Sequence, residues 1–298
     1  DSSTSRGLGD VYKRQEKEEG ITQGFAPDAE FPLIYAEKGL LQAYLTGPGT
    51  SDFSVKAGGA LNVVPDAAPY AGEKLEEVKE ALNKLGFDFE DHGDSIIVLG
   101  KSIHAKDAPE GINAISRLSM ALAEVFNFAP IDFLGKLVKE NATGENVVGK
   151  TKDEQSGELT MNFASLEITP EQTKIGVDMR IPVTFKKDDL VAKLTETAKK
   201  YELTYEDFDF LDSLYVPLDS ELVKNLLQTY RDITGDMTEP FVSGGATFAR
   251  TMNQCVAFGA MFPDTPDFMH QANERWELSS MYKAMEIYAE AVYRLCAK

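Results

Sequence analysis

The stretch at 241–278, FVSGGATFARTMNQCVAFGAMFPDTPDFMHQANERWEL, constrains this chain more than any other. A Gly244-Gly245 turn leads into a short helix, then an apolar run at 256–261, VAFGAM, then a loop carrying His270. An apolar run without alternation marks a strand covered on both faces, as in parallel sheets flanked by helices. That layering predicts an α/β protein, and in such sheets ligands sit outside the carboxyl ends of the strands. His270 follows the strand, so it is a candidate functional residue, though a satisfied loop histidine reads equally well.

Composition narrows the chemistry. The chain has 3 His and 2 Cys among 298 residues, so any metal site must lean on carboxylates. A formal charge of −19 argues against nucleic-acid binding, which needs clustered Lys and Arg. No apolar run approaches the ~18 residues of a membrane span. Cys255 and Cys296 lie far apart without C-x-x-C spacing and read as reduced, packed thiols of a cytoplasmic protein. Residues 1–15, DSSTSRGLGDVYKRQ, lack apolar periodicity and a signal-peptide core; their tail resembles translated adaptor read-through, so they read as a non-native leader.

Patterning organises the rest. Strands are expected around Leu33–Ile34 and Leu40–Leu45, separated by a Glu37-Lys38-Gly39 turn. Leu75, Val78, Leu82 and Leu85 repeat at helical spacing up to Gly86, and 95–99 is a short strand. A second amphipathic helix carries Ile112 to Val125. Strands at 158–168 and 173–183, a helix at 188–201 and an extended segment at 208–216 suggest a βαββαβ-type α+β domain with insertions. Asp219 can cap a helix running to Gly235, and Met281, Met285, Tyr288, Val292 and Leu295 predict a core-facing terminal helix. The expected division is an outer domain of 16–51 and 214–298 with 52–213 inserted into it.

Single residues carry weak signals. Asp28, in GFAPDAEFP, reads first as a Pro-Asp turn bonding its own backbone. His104 is a loop histidine, for which solvation is the ordinary explanation. Arg180 interrupts the strand GVDMRIPV, where snorkelling at a sheet face would explain it. Gly244-Gly245 is a turn whose backbone N–H groups could also approach an anion.

Taken together, GFAPDAEFP, ALNVVPD, SIHAKDAPEGINA, GVDMRIPV, SGGATFAR and MHQANE resemble the PepV-type dipeptidases. These lie within the zinc peptidase family that also holds aminoacylases, succinyl-diaminopimelate desuccinylase and carboxypeptidase G. The resemblance runs from about Gly24 to the C-terminus. It implies an α/β catalytic domain holding two zinc ions, with an inserted α+β ferredoxin-like lid. It further implies that Asp28 and His270 are zinc ligands and that His104 stabilises the oxyanion. Arg180 would pair with the substrate's C-terminal carboxylate, with Asn62, Gly244, Gly245 and Ala246 adding hydrogen bonds. Ala246 stands where the family often has a third glycine, and Phe248 where it often has tyrosine.

The family's H-x-D motif, bridging Asp and Glu-Glu pair have no counterpart between Gln15 and Asp28, where only Glu16, Glu18 and Glu19 occur. The catalytic domain is therefore expected to be incomplete and the chain inactive alone. The implied enzyme is a cytoplasmic, monomeric metallodipeptidase acting on small peptides. The alternatives are an N-acyl-amino-acid deacylase of the same family, or a non-catalytic peptide- or amino-acid-binding module.

Overall fold

The computed structural model describes residues 22–252, 254–266 and 273–297. The expected leader at 1–15 and the candidate ligand His270 lie outside these. The fold is mixed α/β, and the chain divides into two compact units, one of Asp1–Lys38 with Ser213–Lys298, the other Gly39–Asp212. The division falls at 38/39 rather than after residue 51, because the Gly39–Pro48 strand is an inner strand of the second unit's sheet. Only Lys38 separates that strand from Ile34–Glu37, so the anticipated turn is a one-residue break.

In the discontinuous unit, Cys255–Ala257 runs parallel to Gly24–Ala26 and meets Ile34–Glu37 antiparallel. Ile34–Glu37 also pairs with Phe241–Ser243 in parallel and with Leu214–Tyr215 antiparallel. The 256–261 run is not one strand. It breaks after Ala257 and resumes as Ala260–Met261, parallel to Ala29–Glu30. The break is imposed by Phe31, whose ring stacks with Tyr230 at 5.1 Å and meets Phe258 edge-on at 5.1 Å and Phe262 at 4.7 Å. The chain passes this ring at Gly259, where φ is +67° and a Cβ would lie 2.4 Å from the ring. Only glycine meets both demands.

Two helices complete this unit. Glu221–Thr234 is capped by Ser220, whose Oγ accepts from Val223 N at 3.3 Å, so the cap lies one residue beyond the expected Asp219. Gly235 ends the helix in the left-handed conformation, as expected. The terminal helix Leu278–Cys296 buries Ala284, Ile287 and Ala291, with Tyr288 and Leu295 beside them. Met285 and Val292 are exposed, contrary to the sequence expectation. Ala284 and Ala291 on the packed face let the helix approach closely beside Ile287, and spacing alone does not separate this face from the adjacent one that carries Met285 and Val292. Both cysteines are free, but Cys296 is exposed rather than packed.

The Gly39–Asp212 unit is built on an antiparallel sheet ordered Thr204–Leu211, Gly39–Pro48, Gln172–Ile181, Thr160–Ile168, Val55–Gly58. Leu41, Ala43, Leu45, Val177, Met179, Met161 and Phe163 join one core with Ile115, Leu118 and Leu122 of helix Ala114–Val125 and Leu190 and Leu194 of helix Lys187–Lys199. The alternating residues point to the opposite face, and there the sheet is polar. Among the described residues no helix is long and apolar enough to cross a membrane.

Gly259→Ala is expected to destabilise the protein by about 2 kcal/mol or more, combining overpacking with a disfavoured φ. Adding Phe31→Leu should recover only the steric part. Urea unfolding of the single and double variants checks this, and an unchanged midpoint for Gly259→Ala would refute it.

Candidate functional site

The expected site residues fall into two groups, one in each unit. In the Gly39–Asp212 unit, Gln42, Asp178 and Asn162 stand in one cross-strand row on three neighbouring strands. Arg180, two residues on, shares the face of Asp178. It is 2% exposed, so it does not snorkel. Its Nε donates to Asp178 Oδ1 at 2.6 Å and its Nη2 to Oδ2 at 3.0 Å. Gln42 Nε2 donates to the same Oδ2 at 2.8 Å. A buried guanidinium needs such a partner, because desolvating an unpaired charge is prohibitive. In the adjoining row Thr160 stands opposite Arg180, and its buried hydroxyl has no hydrogen-bond partner among the described residues.

Asn162 ties this row to the loop that carries Asn62. Its Nδ2 donates to Leu61 O at 3.2 Å and Val63 O at 2.8 Å, and its Oδ1 accepts from Asn113 Nδ2 at 3.1 Å. Asn113 is itself fixed, since its Oδ1 caps helix Ala114–Val125 by accepting from Ser116 N at 3.1 Å. The held loop then holds His104. Val63 bridges His104, Val64 N donates to Ile103 O at 2.9 Å, and Ala105 N donates to Asn62 O at 2.8 Å. So Asn62, His104 and Arg180, far apart in sequence, belong to one neighbourhood.

His104 has a defined tautomer. Its Nδ1 accepts from Lys106 N at 3.1 Å, which assigns the proton of the neutral ring to Nε2 and makes that atom a donor. Burial lowers its pKa below the ordinary histidine value, and the positive charge of Arg180 lowers it further, with Asp178 opposing. At neutral pH the ring is therefore an uncharged Nε2–H donor.

In the discontinuous unit, Asp28 does not form the local turn its sequence suggests. Its Oδ2 accepts from Phe248 N at 2.9 Å, joining GFAPDAEFP to SGGATFAR. The Gly244-Gly245-Ala246 turn is braced from behind. Glu37 is fully buried and accepts from Thr247 N at 3.0 Å and Arg250 Nε at 2.8 Å, as well as from the Thr247 hydroxyl. Arg250 Nη2 donates onward to Gly245 O at 2.9 Å and Lys38 O at 3.1 Å. Cys255 is buried nearby; burial pushes its thiol up to about 12, and the Glu37 charge adds to this.

As a metal site the described residues are insufficient. No three His, Cys, Asp or Glu side chains among them form a group that could hold an ion. Asp28 is the one proposed ligand they contain, and it faces the Phe248 amide. Sequence reasoning missed Asp178, Gln42, Asn162, Glu37 and Arg250. The i, i+2 spacing of Asp178 and Arg180 on one strand face was the available signal; Asn162 and Glu37 give none without strand pairing.

Comparison with known proteins bears on this geometry. A family model described as "Peptidase family M20/M25/M40" matches residues 3–294. A protein of Staphylococcus haemolyticus, named only as a candidate dipeptidase, is 33% identical over 94% of this chain and 65% of its own length. One of Staphylococcus epidermidis, named likewise, is 34% identical with the same coverage. The chain thus spans 65% of the length of these relatives. The crystal structure of a tripeptidase from Staphylococcus aureus superposes with a TM-score of 0.52 at 13% identity, covering 99% of this chain and 62% of that one, a likeness of fold.

The His104 environment makes a pH prediction. Its folded pKa lies below its unfolded one, so the unfolded state takes up the proton first as pH falls. The contribution of this group to stability is therefore complete above about pH 6.5 and declines below it, towards the folded pKa. An NMR titration of His104 is expected to give a midpoint below the ordinary value, and Arg180→Gln should raise it. A midpoint unmoved by that substitution would show that the Arg180 charge does not act on the ring.

Proposed function

The chain belongs to peptidase family M20/M25/M40, and on that premise we propose that its complete gene product is a metal-dependent dipeptidase. It cleaves short peptides with a free C-terminal carboxylate and carries two zinc ions. The observation that supports this most is the neighbourhood of a neutral, Nε2-protonated His104 and a buried Arg180 on one polar sheet face. His104 serves as a donor to the oxyanion that develops as the peptide carbonyl is attacked, a role an uncharged N–H fills without needing a particular acid pH. Arg180 pairs with the carboxylate of the substrate, helped by Asn62, and the Gly244-Gly245-Ala246 turn offers hydrogen bonds of its own to the substrate. The Gly39–Asp212 unit acts as the lid that brings these groups to the peptide and excludes water.

Asp28 and His270 are the zinc ligands in this reading. They are two donors where catalytic zinc ordinarily takes three protein ligands. Purified residues 1–298 are therefore expected to bind zinc weakly and to hydrolyse no dipeptide. Tight binding of two ions, measured by isothermal titration with metal analysis, would overturn that expectation.

The two lid residues should separate kinetically in the complete gene product. Losing His104 removes a donor that matters mainly in the transition state, so His104→Ala should lower kcat by about 10²–10³. Arg180→Ala removes a bond present already in the ground state and should raise KM by roughly ten- to a hundredfold. Amidating the dipeptide's C-terminus should mimic Arg180→Ala in the unsubstituted enzyme and add little to that variant. If amidation harms both equally, Arg180 does not read the carboxylate.

A further inference from the structure

The geometry points to Asn162 as a positioning residue: its side-chain amide fixes where the His104 ring stands, and through it the rate of turnover. This rests on the reading of His104 as the oxyanion donor. Asn162 works through a short loop segment that is held along two opposite edges. On one edge, Leu61 O and Val63 O both accept from Asn162 Nδ2, at 3.2 and 2.8 Å. On the other, Asn62 O accepts from Ala105 N at 2.8 Å, and Val64 N donates to Ile103 O at 2.9 Å. The residues before and after His104 are thus both bonded to the segment that Asn162 holds. The ends of the loop are tied separately, with Gly59 N donating to Ala164 O at 3.2 Å and Ala114 N to Pro65 O at 2.9 Å. Asn162 therefore governs the middle of the loop, the part bonded to the His104 segment.

The amide of Asn162 has one workable orientation. Its Oδ1 accepts from Asn113 Nδ2 at 3.1 Å, and turning the amide over would set two donors against each other. Asn113 cannot turn over either. Its Oδ1 accepts from Ser116 N at 3.1 Å at the start of helix Ala114–Val125, and its Nδ2 also donates to Phe163 O at 2.9 Å. Asn162 is 2% exposed, so water does not stand in for these bonds if they are lost. The helix N-terminus sets Asn113, Asn113 sets Asn162, and Asn162 sets the loop against which His104 stands. The bond from Lys106 N to His104 Nδ1 lies within the His104 segment, so it fixes the tautomer but not the place of the segment. An oxyanion donor acts only where its N–H meets the developing charge, and small displacements are costly.

The test is Asn162→Leu in the complete gene product, which roughly keeps the side chain's shape and removes its hydrogen bonds. On alanyl-alanine, kcat is expected to fall roughly ten- to a hundredfold, the scale of a misplaced catalytic group. In a His104→Ala background the same substitution should change kcat by less than about twofold, because the group it positions is gone. The deciding parameter is kcat, since Asn62 rides on the same loop and is read in KM. NMR gives a second readout. The ring signals of His104 should shift in Asn162→Leu, while those of His92, which lies against Glu90, stay in place. An equal loss of kcat in both backgrounds, an unchanged kcat, or unshifted His104 signals overturns the positioning role. If His104→Ala itself leaves kcat unaltered, the oxyanion reading fails and this proposal with it. Should circular dichroism show that Asn162→Leu does not fold, Asn113→Ser decides, because serine still caps the helix but is too short to reach Asn162. A smaller kcat loss that vanishes in the His104→Ala background supports the role; no loss, or one that persists there, overturns it.

Discussion

Burying a guanidinium is the constraint around which both units are arranged. An unpaired buried charge costs far more than any fold of this size can spare, so each buried arginine dictates a carboxylate within reach. Asp178 answers Arg180 on the polar sheet face, and Glu37 answers Arg250 behind the glycine turn. Neither pair is strong evidence for stability, since apolar substitutes often pack as well. What the pairs supply is direction. Each carboxylate accepts from additional donors, Gln42 in one case and Thr247 in the other, and those donors lie on segments that must otherwise find their own register.

From these anchors the loops are placed by side-chain amides. Asn162 stands level with Asp178 and reaches out to Leu61 O and Val63 O, so the sheet row and the Asn62 loop are one construction. His104 then takes its place against that loop, and its tautomer follows from the Lys106 amide rather than from any acidic partner. A neutral histidine beside an arginine is consistent electrostatics. The same positive charge that would meet a carboxylate also discourages a proton on the ring.

Much of the fold was legible in the sequence because it follows from local periodicity. The helix ending at Gly86 and the one ending at Gly235 are fixed by apolar spacing and by a glycine free to adopt φ > 0. The strands expected around Leu40–Leu45 and at 173–183 are both present, as Gly39–Pro48 and Gln172–Ile181. Where larger apolar residues flank smaller ones, as on Leu278–Cys296, periodicity gave the helix but not its buried side, because close approach favours Ala284 and Ala291 over Met285 and Val292.

Local patterning set most of the helices and strands, while His104, Arg180 and Asp28 each carried a weak signal with an ordinary explanation. Tertiary structure alone decided their partners. Asp28 bonds Phe248, 220 positions away, instead of its own turn. Arg180 is buried rather than snorkelling because Asp178 and Gln42 arrive beside it by strand pairing. The break at Gly259 exists because the ring of Phe31 occupies the space that a continuous strand would need. These are long-range events of packing and register, and local propensity carries no record of them.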